Sequence, residues 1–320
     1  MRKSKSKVVS LFASVVSAGL LVAGSGGIAT ANPEERTNPA GAVDKAAVAE
    51  VETQGVSPIG VDAQGRTLKA PAPLTTKKGA QTTGSVPAHV PMKAHGKSFD
   101  KDSVIPPDGR HRVYNTTAFP NSAIVFIQRG GGHHCTGWMV SADTLVTAGH
   151  CLYDTRSQSW YRGLEFVPGA NGRHQPYGSA RAAKMWTDTS YAQTGNTGRD
   201  WGIVKLNRPV GNQTGWFGLT WREGSYNGTW SVVRGYPGDK GIGEMWTMSG
   251  QINESRPNQL CYSIDTMGGQ SGSPVYLSSN QAIAIHAYGV GPHGAGGCPS
   301  QYNAGTRITK DLYELILQMR

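Results

Sequence analysis

From Ser103 onward, short apolar runs rich in β-branched and aromatic residues alternate with clusters of Gly, Pro, Asn and Asp. SAIVFIQ (122–128), GWMVSADTLVTAG (137–149), DWGIVKL (200–206), WSVVRGY (230–236), EMWTMSGQI (244–252), QLCYSID (259–265), SPVYL (273–277), AIAIHAYGV (282–290) and TRIT (306–309) read as strands and their turns. Many short strands at this spacing predict an all-β sandwich or barrel rather than alternating strand–helix units. The period changes once. Leu312, Leu315, Ile316 and Met319 fall on one face behind Thr309, a residue type suited to an N-cap, so the chain is expected to end in a helix packed on the β structure.

The first third of the chain has a different texture. MRKSKSK (1–7) is basic, Val8 to Ile28 is apolar and small, and Ala29-Thr30-Ala31 offers a small-residue cleavage site. That three-part layout is a secretory signal peptide, here residues 1–31, and Ser and Gly dilute its apolar run too much for a stable membrane anchor. Residues 32–102 are rich in Ala, Gly, Thr, Pro, Lys and Val and almost free of aromatics. Alone, such a stretch buries too little apolar surface to offset its ordering entropy, which in an exported protein suits a loosely folded pro-segment. The layout is therefore a leader (1–31), a pro-segment (32–102) and a mature domain (103–320), secreted, monomeric and without stable membrane association.

Export changes the reading of the four cysteines. Outside the cytoplasm they most simply form disulfides; three pairings exist, and Cys135–Cys151 with Cys261–Cys298 is the one expected. A zinc cluster of His133, His134, Cys135, His150 and Cys151 lacks the paired spacing of such sites, so no metal or other cofactor is expected. The net charge of +10 hints at nucleic acid. Yet the first 102 residues hold thirteen Lys/Arg against eight Asp/Glu, which places +5 of the excess there. The rest contains no basic run and no nucleic-acid module; a basic surface that attracts acidic substrates is the better account.

Three separated stretches carry chemistry. TAGHC (147–151) places His150 just after a strand, where an imidazole can act as general base near neutral pH. GRDWGIVKL (198–206) supplies Asp200 before an apolar strand, able to accept the imidazole Nδ1–H; Asp154 and Asp188 are the competing carboxylates. GGQSGSPV (268–275) has the glycines for a sharp turn, in which the amides of Gly269 and Ser271 point at one developing oxyanion while the Ser271 hydroxyl attacks.

In this order, His then Asp then Ser, the stretches resemble the chymotrypsin-like serine proteases. With SVIPPDGRHRV, CTGWMV, VTAGHCLYDT, GYPGDK, DTMGGQSGSPV and GTRITK, residues 103–320 more closely resemble the bacterial glutamyl endopeptidases. The resemblance implies an all-β double six-stranded β-barrel with a C-terminal α-helix. His150 and Asp200 would come from the first barrel and Ser271 from the second.

The same resemblance implies hydrolysis of polypeptides after Glu, less so after Asp. Thr266 and His286 stand at the family's offsets for recognising an acidic side chain, and Ala287, Tyr288 and Gly289 would line the substrate channel. Asp265, however, stands six residues before Ser271, where trypsin-like enzymes bind Lys or Arg, so a Lys/Arg or broad specificity is the alternative, and a non-catalytic binding protein a more distant one. Gln270 replaces the Asp that chymotrypsin-type zymogens pair with a freed amine. Activation is instead expected by cleavage near Asp102–Ser103, bringing a new N-terminus at Ser103 or Val104 to the specificity pocket, with the pro-segment as a partner of its own enzyme.

Overall fold

The computed structural model describes residues 55–72, 82–91, 108–290 and 297–320. The expected leader, the cleavage site near Asp102 and Val104 lie outside the described residues. The first barrel is a run of antiparallel strands in the order Leu164–Pro168, Ile124–Arg129, Gly132–Met139, Thr144–Thr147, Gly202–Leu206 and Ala182–Asp188. Paired hydrogen bonds between Phe166 and Ala180, of 3.0 and 2.8 Å, close it. Curling into a barrel turns alternate side chains inward, while the bridge leaves the flank of Ala182–Asp188 available for a further strand. Ile124, Ile127, Trp138, Leu145, Ile203 and Phe166 are accordingly buried.

The second barrel runs Pro274–Tyr276, Trp230–Gly235, Trp246–Ser255, Gln259–Tyr262, Asn303–Arg307 and Gln281–Tyr288, closed because Pro274–Tyr276 also pairs with Gln281–Tyr288. Val233, Ile252, Leu260, Tyr262, Ile264, Val275 and Ile283 fill it. The strand Gly218–Arg222 lies outside this barrel, parallel to Gln281–Tyr288. Cys261 is bonded to Cys298 and Cys135 to Cys151.

The helix Lys310–Met319 buries Leu312, Leu315, Ile316 and Met319 as its periodicity requires. It returns to the first barrel, where the Met319 carbonyl accepts a hydrogen bond from Thr144 Oγ1 at 3.0 Å. Thr309 is at the N-cap with extended backbone, but its side chain makes no cap bond. The hydroxyl is turned onto the Asp311 carboxylate, which takes over the capping by accepting from Leu312 N at 2.9 Å.

Part of the stretch expected to be loose is ordered on the barrels. Pro58–Asp62 continues the first sheet beyond Ala182–Asp188, and Thr83–Val86 continues the second beyond Gly218–Arg222. By itself the stretch still buries little apolar surface. What holds it here is the backbone hydrogen bonding of edge strands, which composition does not report.

Candidate active site

His150 lies in a single 3₁₀ turn, Gly149–Cys151, entered from the extended Ala148 at the end of Thr144–Thr147. Two atoms of this residue are held by one carboxylate. The amide N–H donates to Asp200 Oδ1 at 2.8 Å and Nδ1 lies 2.7 Å from Asp200 Oδ2. A carboxylate only accepts at neutral pH, so the Nδ1 atom carries the proton and Nε2 keeps its lone pair. Gly149 makes this approach possible, because a Cβ there would sit 2.9 Å from Asp200 Oδ1 and 2.5 Å from Thr187 Oγ1. The competing carboxylates are used elsewhere. Asp188 accepts from Ser190 N at the start of the Thr189–Thr194 helix, and Asp154 from Arg156 N and Ser157 Oγ in its own turn.

Asp200 is fully buried and takes a third donor that the sequence reading missed, the Tyr288 hydroxyl, 2.6 Å from Oδ2. Burial disfavours its charge, but the His150 charge and three donated hydrogen bonds outweigh burial and hold it below the usual carboxylate range. Burial likewise pulls the imidazole down; the Asp200 charge and hydrogen bond overcome that and raise His150 above its ordinary value. Burial, then the Asp200 charge, pushes the Tyr288 phenol far up, so it remains a donor. Tyr288 was expected to line the substrate channel; its hydroxyl has a separate use on Asp200. Nothing in the motif signalled it, since the contact depends on how close two distant strands come.

The Ser271 turn is docked on the first barrel. The Ser271 carbonyl accepts from Thr136 N at 2.8 Å, and Gly269 O accepts from Thr136 Oγ1 at 2.9 Å. Thr136 Oγ1 in turn accepts from Tyr236 N at 3.0 Å. At Gly272, φ is +88° and a Cβ would lie 2.0 Å from Thr136 O and 3.0 Å from Ala148 N. Ser271 is thus brought against the strand end that carries His150. Gly269 has φ +98° with a built Cβ 2.7 Å from Tyr236 O, whereas Gly268 has open space around it. Of the glycines expected to allow the sharp turn, Gly269 and Gly272 are the sterically obligatory pair, while Gly268 is not. Gln270 is buried and its Oε1 accepts from Met267 N at 3.0 Å, stapling the turn from within. Among the described residues neither Gly269 N nor Ser271 N donates to a protein acceptor.

A profile of the family described as Trypsin matches residues 110–310. The chain belongs to the trypsin family. Within the family it is 41% identical over 247 residues to a glutamyl endopeptidase of Bacillus licheniformis, covering 75% of both chains. It is 36% identical to a protein of Bacillus subtilis named an extracellular metalloprotease, covering 69% of this chain and 70% of that one. A solved Glu endopeptidase structure superposes with a TM-score of 0.60 at 30% identity, covering 68% of this chain and 99% of that one. As to metal chemistry, Cys135, His150 and Cys151 are the one His/Cys/Asp/Glu group among the described residues close enough for an ion, and the disulfide between the two sulfurs uses up two of the three ligands.

In this trypsin-family chain the specificity candidates sit beside the turn. His286 N donates to Ser273 O at 2.8 Å and Gly272 N to His286 O at 2.7 Å, so the His286 strand is laced to the Ser271 loop. The buried His286 ring has Nδ1 2.7 Å from the Tyr262 hydroxyl. Burial, with a smaller push from the His150 charge, lowers its pKa to about 3, so it is neutral at working pH. Thr266 Oγ1 is buried without a partner. Ala287 is buried and Gly289 exposed at the mouth of the same strand. Asp265 is exposed, and its Oδ2 accepts from Gly109 N at 3.2 Å.

Proposed function

We propose that this chain is an exported serine endopeptidase that hydrolyses peptide bonds after Glu, and less well after Asp, with His150, Asp200 and Ser271 as its triad. The observation that carries the reading is the two-point grip of a buried Asp200 on His150, with the Ser271 turn held on Thr136 of the neighbouring strand Gly132–Met139. The basic, apolar and small-residue layout of residues 1–31 supports export, and residues 32–102 are read as the pro-segment.

In the reaction the Ser271 hydroxyl adds to the scissile carbonyl carbon while its proton passes to His150 Nε2. The buried Asp200 stabilises the imidazolium and does not itself take the proton. Charge collects on the former carbonyl oxygen, where the Gly269 and Ser271 amides donate to it; each such donor is worth about 3 kcal/mol. Collapse expels the amine, which takes the proton back from His150. Water, deprotonated by the same Nε2, then adds to the acyl ester and releases Ser271.

Specificity for an acidic side chain follows from neutral donors. When the Tyr262 hydroxyl donates to His286 Nδ1, the proton of that ring sits on Nε2, ready to donate to a substrate carboxylate together with the unpartnered Thr266 hydroxyl. Hydrogen bonds to an ionised acceptor are about twice as strong as neutral ones. A Lys side chain would meet these two donors, and the exposed Asp265 carboxylate is engaged by Gly109 N. Thr266→Val is expected to lower kcat/KM for Glu substrates about tenfold, the loss of ~1.4 kcal/mol, while Asp265→Asn leaves it within about twofold. Loss of activity in Asp265→Asn, with Lys or Arg preferred by the unmodified enzyme, would instead support trypsin-like specificity.

A further inference from the structure

Residues 55–72 and 82–91 belong to the stretch read above as a pro-segment, and the inference below rests on that reading. They extend each barrel's sheet at its edge, with Thr67–Leu68 folded back on Pro58–Asp62 as the last strand of the first. Pro58–Asp62 pairs with Ala182–Asp188 over five residues, and Thr83–Val86 pairs with Gly218–Arg222 over four. Between the two strands the chain makes further contacts with the C-terminal helix. Gln318 Nε2 donates to Ala72 O at 2.8 Å, and earlier Val56 N donates to Asp311 Oδ2 at 3.0 Å. No hydrogen bond from these residues reaches His150, Asp200, Ser271, Thr266 or His286 among the described residues.

The fit is shaped on both sides. Each added strand carries a glycine against an indole. A Cβ on Gly60 would lie 2.3 Å from Trp186 Cδ1, and one on Gly84 would lie 2.3 Å from Trp221 Nε1. On the protease side, a Cβ at Gly215 or Gly218 would lie 2.4 Å from the carbonyl oxygen of His89 or Val86 respectively. The His89 ring stacks on Trp216 with centroids 4.0 Å apart and planes at 19°. Trp186 and Trp221 are buried, and Val61 joins the first barrel's core. Removing the segment would bare two strand edges and three indoles on one molecule, which favours aggregation and wastes apolar burial.

We propose that the 55–91 segment stays on the mature enzyme as a separate, non-covalently held chain after cleavage near Asp102–Ser103, docked in these two strand-addition sites. The cut severs none of the contacts above, since both strands lie on the same side of it. The piece therefore remains bivalent: release of one strand leaves the other holding it at high effective concentration. Among the described residues it makes no hydrogen bond to the catalytic groups, so the role proposed for it is that of a clasp. The solved Glu endopeptidase is matched over 99% of its length by 68% of this chain, so retention is argued from this chain's own tryptophans and glycines.

The test is to secrete the full chain, let it mature, and analyse the purified enzyme by native and denaturing mass spectrometry. Two chains in 1:1 ratio, one starting at Ser103 or Val104 and the other containing 55–91, separating only in denaturant, are expected. In Gly60→Val with Gly84→Val the retained fraction should fall at least tenfold, with activity on small peptides unchanged. Should that variant fail to fold, hydrogen exchange in the wild-type enzyme decides: slow exchange across 184–188 and 218–222 supports the clasp. A mature chain that has lost the segment, with those amides exchanging freely, overturns it. A chain found uncut between 92 and 107 overturns the pro-segment reading itself and the clasp with it.

Discussion

Asp200 accepts three donors at once, the His150 amide, His150 Nδ1 and the Tyr288 hydroxyl, and each has a different duty. The first fixes the backbone of the general base and the second its tautomer. The third draws charge away from the carboxylate. In Tyr288→Phe Asp200 becomes more basic and His150 is raised further, so kcat/KM should drop about tenfold. Its acid limb should also move to higher pH. In the unmodified enzyme that limb already lies above the ordinary imidazole value: the base works only when neutral, so activity falls as pH falls through the raised His150 pKa. A pH–rate profile in which the variant's limb is unmoved would assign Tyr288 to packing alone. Gly272→Ala is a harsher change, since a Cβ 2.0 Å from Thr136 O must displace the loop; a loss of ~2–4 kcal/mol, measurable as a fall in Tm, is expected. The pairing of His150 with Asp200 and the sharp turn at Ser271 were legible in the sequence because each residue sits in a short motif with its own local geometry. Tyr288, Tyr262 and Thr136 were not, because their hydroxyls matter only through partners 24 to 133 positions away.

Strands were legible where side chains alternate into a closed barrel, and less so where the backbone alone does the binding. SAIVFIQ and AIAIHAYGV lie across strands whose apolar residues are buried. TGSV (83–86) and PIGVD (58–62) have too little apolar character to register, yet they pair along full ladders because edge strands offer N–H and C=O groups to any extended partner. The helix at 310–319 was readable from its 3.6-residue period, while its cap was not: Thr309 and Asp311 both suit that role, and the carboxylate took it. At this scale the Cys261–Cys298 bond ties Gln259–Tyr262, beside the Tyr262–His286 contact, to a segment 37 positions on. Replacing both cysteines by Ser should cost about 2–4 kcal/mol in thermal or denaturant unfolding. The loss should appear as weaker Glu selectivity before the His150–Asp200 pair fails, since His150 lies on the other barrel beside Cys135–Cys151.

The molecule as a whole places its site where two barrels meet, with Thr136 of the first holding Gly269, Ser271 and Tyr236 of the second. A charge cluster holds the segment that enters the second barrel. Arg110 bridges Asp108 and Asp239, with Lys240 on Asp108 at 2.8 Å. The Arg110 and Lys240 hydrogen bonds hold Asp108 below the usual carboxylate range, and Arg110 does the same for Asp239. Depressed carboxyls stabilise the fold above their unfolded values and lose that contribution as pH falls through their folded ones, as does Asp200. Tm should therefore hold near neutral pH and decline steadily below about pH 4. The partly exposed pairs contribute little each, and the buried Asp200 most.

The most direct test of the account is cleavage by the matured enzyme of peptides that differ only in the residue before the scissile bond, Glu, Asp, Gln, Lys or Phe, with Ser271→Ala as control. Cleavage after Glu, weaker cleavage after Asp, negligible cleavage after Gln, Lys and Phe, and none in the control are predicted. Preference for Lys, or activity that survives in Ser271→Ala, would contradict it.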